Sequence, residues 1–125
     1  MPASPWRSLS TPDPDAELLV LRTFLPLSRL SQLPRFLRYV VRITRQLETA
    51  NGLAGYTLLA RPLRSRYWTL SAWESAEALG AFVRAEPHAS AMRELPQTLR
   101  GFETVRWTVK ASELPLSWDD ALARS

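Results

Sequence analysis

Cysteine is absent from this 125-residue chain, which excludes a disulfide framework, thiolate metal sites and a cysteine nucleophile together. The same lack fits a reducing compartment. Histidine occurs once, at His88, so no histidine-built zinc or iron cluster can assemble and no metal site is expected. Lysine also occurs once, at Lys110, and nearly all the positive charge behind the net +4 is arginine. No run of about 18 apolar residues exists, so nothing in the sequence reads as a membrane span. Neither a glycine-rich phosphate loop nor a nucleophile elbow around any serine is present. Met1 to Ala16 carries four prolines among Ser, Thr and Asp. Without the apolar middle of a secretory signal, residues 1–16 read as a flexible arm on a cytoplasmic protein.

What is present suits one packed domain. A hydrophobic share of 46% against 22% charged residues is enough for a core, and the length leaves room for one. Glu17 to Leu25, ELLVLRTFL, has the length and composition of a buried strand stopped by Pro26. A helix is predicted from about Ser31, a candidate cap, with Leu33, Phe36, Leu37, Val40, Ile43 and Leu47 on one face. Asn51-Gly52 closes it, because glycine accepts the left-handed conformation of a helix end. Tyr56–Arg61 and Arg66–Trp73 read as a hairpin. Ser75 caps a second helix through Ala78, Leu79, Phe82 and Val83, and Pro87 opens another with His88, Met92 and Leu95 before Pro96. Phe102 to Lys110 alternates strictly and reads as the last strand. Residues 111–125 form a tail with a short helix capped by Ser117.

The order is β-α-β-β-α-β over residues 17–110, which predicts an α+β ferredoxin-like fold: a four-stranded antiparallel sheet with helices on one face. In the third strand Trp68, Leu70 and Ala72 are expected under the helices, and Tyr67, Thr69, Ser71 and Trp73 on the other face. A bare face holding Tyr67, Trp73 and Phe24 is too aromatic for water, and a second copy is its simplest cover. A homodimer is therefore expected.

The stretch YWTLSAWESAEALGAFVRAEPHASAMREL, Tyr67 to Leu95, resembles the antibiotic-biosynthesis-monooxygenase type of dimeric α/β barrel. The resemblance implies that fold for about three quarters of the chain. It also implies a range of chemistries: cofactor-independent oxygenation of polyphenolic intermediates, haem degradation, isomerisation, cyclisation, or none. Trp73 matches a tryptophan of the haem-degrading branch at the end of the third strand. Thr23 stands where that branch has asparagine and Met92 where it has its haem-ligating histidine, so both departures argue against haem degradation. His88 lies four residues before Met92 on the same helix face, which leaves a displaced haem ligand open.

His88 is the candidate general base, as the one side chain with an ordinary pKa near neutrality; the plain alternative is a helix-start residue with no such role. Trp73 and Tyr67 are candidates to stack against a flat ligand, or simply to fill the interior. Thr23, Thr69 and Ser71 offer polar contacts, and Phe24 and Met92 apolar ones. Arg22 and Arg106, each on a strand, would anchor a carboxylate or developing oxyanion if they point into the cavity. Arg35, Arg38, Arg42 and Arg45 recur at helical spacing opposite the apolar face and read as a solvated stripe. With only Tyr39 interleaved they make a poor nucleic-acid platform, and neither nucleic acid nor membrane is expected as a partner.

Together these residues suggest an enzyme that oxidises, isomerises or cyclises an aromatic or polyketide-like small molecule without a tightly held cofactor. The alternatives are a non-catalytic ligand-binding or structural dimer, and a haem-binding protein using His88.

Overall fold

The computed structural model describes residues 4–61, 64–94 and 103–124. Its elements run β1 (Arg7–Ser8), β2 (Glu17–Pro26), α1 (Leu33–Glu48), β3 (Leu53–Arg61), β4 (Arg66–Trp73), α2 (Ala76–Arg84), α3 (His88–Glu94), β5 (Glu103–Lys110) and α4 (Trp118–Ala123). The five strands form one antiparallel sheet in the order β1-β3-β4-β2-β5. The four expected strands are there in ferredoxin-like order, and β1 is a two-residue addition outside β3, drawn from the segment expected as a flexible arm. Among the described residues no helix is long and apolar enough to cross a membrane. Leu95, Pro96 and Phe102 lie outside the described residues.

Local chemistry accounts for most boundaries. The Ser75 hydroxyl accepts the Ala78 N–H at 3.1 Å and starts α2, and Ser117 accepts the Asp120 N–H at 3.4 Å and starts α4. Gly52 follows α1 at φ +80°, a conformation that a side chain would strain. An added Cβ there would also lie 2.5 Å from the Ala78 Cβ. Ser31 does not cap α1. A short 3-10 turn, Leu30–Gln32, intervenes, and Pro34 sits in the first helical turn, where a missing N–H costs nothing.

The two sheet faces are covered in the opposite sense to the expectation. Tyr67 and Trp73 lie under α1 and α2, with Phe36 against Tyr67 and Phe82 against Trp73 at ring separations of 4.7 and 5.2 Å. Phe24 belongs to the other face, stacked on Trp68 at 5.0 Å. Strand register requires this split, since Leu25 pairs with Tyr67 and Phe24 with Trp68. The apolar set Trp68, Leu70 and Ala72 therefore faces away from α1 to α3, and the aromatic face offered as the reason for a second copy is already buried within the chain. Tryptophan at alternating positions made both faces apolar enough to be buried, and composition alone could not choose between them.

That far face is covered by the two ends of the chain. Leu18, Val20, Leu70, Ala72 and Val109 pack against Ala121, with Trp6, Leu114, Leu116 and Trp118 around them. Trp6 lies so close to Gly55 that a Cβ there would meet its ring at 2.6 Å. Thr57, almost fully buried, donates to the Ser4 carbonyl at 2.6 Å and accepts from Trp118 Nε1 at 3.3 Å, joining both ends to β3.

Arg22 is the pin of this cover. Its Nη1 donates to the carbonyls of Ala121 at 2.6 Å and Arg124 at 2.8 Å, the unsatisfied C-terminal acceptors of α4. Arg22 therefore points away from the helix-side layer, which corrects its candidacy as an anion anchor there. Among the described residues no carboxylate pairs with this buried guanidinium and its Nε has no partner; the two Nη1 hydrogen bonds offset this because they are charge-assisted, worth about 1.5–3 kcal/mol. Arg22→Met, which keeps the apolar stem, is expected to lower unfolding free energy by about 2 kcal/mol. Amides 118–124 should lose hydrogen-exchange protection first; unchanged protection would show that Arg22 does not hold the tail.

Candidate functional site

A cavity of about 340 Å³ lies between the sheet and the helical layer. It exists because β2, β4 and β5 send short or polar side chains upward where α1, α2 and α3 send apolar ones down. Register places Thr69, Thr23 and Thr104 side by side across β4, β2 and β5, and Ser71, Leu21 and Arg106 in the next row. Threonine and serine leave space that leucine would fill. The facing wall is formed by Ile43 and Leu47 of α1, Phe82 and Val83 of α2, and Ala91 of α3.

Among the sequence candidates, His88, Trp73, Arg106, Thr23, Thr69, Ser71 and Met92 all line this cavity. Arg22 and Phe24 do not, being on the far face. Tyr67 shares the correct face but lies beyond the cavity under Phe36, its hydroxyl buried without a partner among the described residues and its pKa raised by that burial. Met92, at 43% exposure, forms rim rather than wall.

His88 opens α3, and its backbone N–H donates to Gln46 Oε1 at 3.0 Å. Its ring stands against Phe82 at 5.2 Å, so Trp73, Phe82 and His88 form one aromatic row. His88 Nδ1 lies 3.3 Å from the Val83 carbonyl oxygen. That oxygen can only accept, so the bond places the proton on Nδ1 and leaves Nε2 as the basic nitrogen. Burial lowers the His88 pKa, outweighing the opposite effect of the Val83 bond. The imidazole is therefore neutral at pH 7, the form a general base needs.

Trp73 is almost wholly buried, and its Nε1 donates to Ser71 Oγ at 2.8 Å. The indole is consequently not a free donor, whereas the Ser71 hydroxyl proton is uncommitted. Arg106 is exposed on the edge strand β5 and makes no ion pair with any described residue.

Several lining residues were not singled out from the sequence, and two of them bear on the site. Thr104 is one; its alternation with Val105 and Trp107 was visible, but nothing marked it as facing a cavity. Tyr56 is the other. Its hydroxyl donates to Glu48 Oε2 at 2.6 Å, and Arg7 grips the same carboxylate with Nη2 at 2.8 Å. Burial, then the Glu48 bond, pushes the Tyr56 phenol up to about 12, while Arg7 first and Tyr56 second hold Glu48 low. Only the fold brings residues 7, 48 and 56 together. Among the described residues no three metal-ligating side chains gather.

No family model matches the chain, and no curated protein matches it in sequence. Solved structures match its fold. A proposed monooxygenase from Fusobacterium nucleatum subsp. nucleatum superposes with a TM-score of 0.68 at 10% identity, over 81% of this chain and 46% of that one. The chain thus spans about half the length of that protein. A proposed antibiotic biosynthesis monooxygenase from Nitrosomonas europaea gives 0.67 at 10% identity, covering 80% of this chain and 94% of that one. A further antibiotic biosynthesis monooxygenase gives 0.62 at 10% identity, over 74% and 96%. The chain shares the ferredoxin-like fold of these proteins. At such identities the likeness carries the fold and not the reaction.

The lowered pKa of His88 sets a pH dependence. Folded His88 binds its proton less tightly than an unfolded histidine at about 6.5, so acid favours the unfolded chain. This contribution to stability is complete above pH about 6.5 and is lost as the pH falls towards the folded value. An NMR titration of the single histidine is expected to give a midpoint below 6.5, with the neutral Nδ1–H tautomer above it. A midpoint at or above the ordinary value would overturn the burial argument.

Proposed function

We propose that this chain is a small-molecule enzyme that oxidises an aromatic or polyketide-like substrate with dioxygen and without a tightly held cofactor. One observation carries the reading: the chain's single histidine, neutral and with Nε2 as its basic nitrogen, lies in the wall of a largely apolar cavity of ligand size. In this proposal His88 takes a proton from a phenol or an activated ring CH₂. The resulting carbanion, or the phenolate with its charge spread to a ring carbon, supplies electrons to dioxygen; the CH₂, or in a phenol the ring C–H para to the oxygen, becomes C=O with one oxygen atom, and the other leaves as water. Arg106 stabilises the developing anion from the β5 side, and Trp73 with Phe82 forms the flat wall. Isomerisation or cyclisation would draw on the same base and the same wall.

Two other readings have less support. Haem binding through His88 would need a larger site, since about 340 Å³ is at the low end of the roughly 300–1,000 Å³ range of ligand pockets. It would also place the macrocycle beside Thr23 and Met92, the two departures from the haem-degrading pattern. A non-catalytic ligand-binding dimer keeps the cavity and gives up the chemistry. The homodimer itself rests on the resemblance, because Tyr67 and Trp73, on whose face a second copy was expected, lie under α1 and α2, and the ends of the chain pack on the opposite face.

Oxygen uptake with anthrone- and naphthol-type substrates tests the proposal. Wild-type activity should rise with pH through one ionisation below about 6.5, and His88→Gln should lower kcat/KM by about 100-fold or more while ligand affinity persists. Activity undiminished in His88→Gln would remove the base, and ligand binding without turnover would leave the binding-protein reading in its place.

A further inference from the structure

The cavity is chemically two-sided. Its helix wall is apolar at Ile43, Leu47, Phe82 and Val83, with the His88 ring as its polar group, whereas its sheet wall carries the row Thr69, Thr23, Thr104. Register makes these three nearest neighbours across β4, β2 and β5, with adjacent Cα atoms about 4.5–5.5 Å apart. None of the three hydroxyls has a hydrogen-bond partner among the described residues. Valine has the same shape and a similar strand preference, so what sets threonine apart here is the hydroxyl it offers. Thr23 and Thr69 are half-buried and Thr104 is exposed, so all three hydroxyls stay open to hydrogen bonds from a molecule that enters the cavity. Beside the row, Arg106 on β5 has no counter-ion among the described residues, which gives this wall an anion-seeking end.

We propose that the threonine row determines ligand orientation and specificity. A ring system bearing hydroxyl or keto oxygens along one side lies with those oxygens on Thr69, Thr23 and Thr104, its hydrocarbon against the helices and a carboxylate at Arg106. The inference rests on the reading of the cavity as a small-molecule site and deepens it to a ligand class, an oxygenated bicyclic carboxylate. At the packing density of protein interiors, about 340 Å³ accommodates roughly fifteen non-hydrogen atoms.

The test is calorimetric titration of the full chain with 6-hydroxy-2-naphthoate, 2-naphthoate and 2-naphthol. Thr23→Val should weaken the hydroxynaphthoate about five- to tenfold, the loss of one hydrogen bond, and leave 2-naphthoate unchanged. Arg106→Gln should weaken both carboxylates and leave 2-naphthol unchanged. If Thr23→Val does not fold, Thr69→Val on β4 provides the same comparison. Equal effects on the hydroxylated and plain naphthoates, or none on either, would overturn the threonine row while leaving the cavity a binding site. Failure of all three probes to bind the wild type would overturn the cavity reading and this inference with it.

Discussion

Strand β2 has neighbours on both sides and side chains on both faces, and each face must be covered. Its sequence meets this requirement residue by residue. Leu19, Leu21, Thr23 and Leu25 go to the helix side, while Leu18, Val20, Arg22 and Phe24 go to the other. A one-residue slip would exchange the two sets, burying Arg22 in the cavity layer and turning Thr23 onto the tail. The cavity, the tail and the position of every candidate residue depend on that register.

Each face then finds its own solution. On the helix side, large residues at the margins of the cavity hold the layers apart: Trp73 with Phe82 on one flank and Tyr67 with Phe36 on the other. Short hydroxyl side chains between them leave open space. On the far side the tail closes against Leu18, Val20 and Val109, and Arg22 holds its last carbonyls. Arg22, the one buried arginine among the described residues, thus serves the architecture, and Arg106 stands at the cavity edge. Burial keeps His88 uncharged near neutrality, and Val83 fixes its tautomer.

Much of this was legible from residue patterns. The alternation in ETVRWTVK, the capping serines Ser75 and Ser117, and Asn51-Gly52 each act within a few residues of themselves, and each appears where local chemistry puts it. Strand alternation likewise groups Thr69, Ser71 and Trp73, whichever face they take. The errors were of another kind. Phe24 was grouped with Tyr67 on aromaticity, although pairing across β2 and β4 separates them. Arg22 was a candidate for the cavity because nothing local reveals which side of a central strand meets the tail, 99 residues away. Tyr56 went unnoticed because its partners Glu48 and Arg7 come from two other elements.

By itself the sequence determined the elements, their order and the ferredoxin-like fold, since helix periodicity, strand alternation and turn residues are short-range properties of the chain. It also determined that only one side chain here, His88, has an ordinary pKa near neutrality. Tertiary structure alone decided which sheet face lies under the helices, which arginine reaches the cavity edge and which is used up by the tail, and that three threonines stand in one row. Those outcomes depend on strand register and on how the layers close, and both are settled by contacts between residues far apart in the chain.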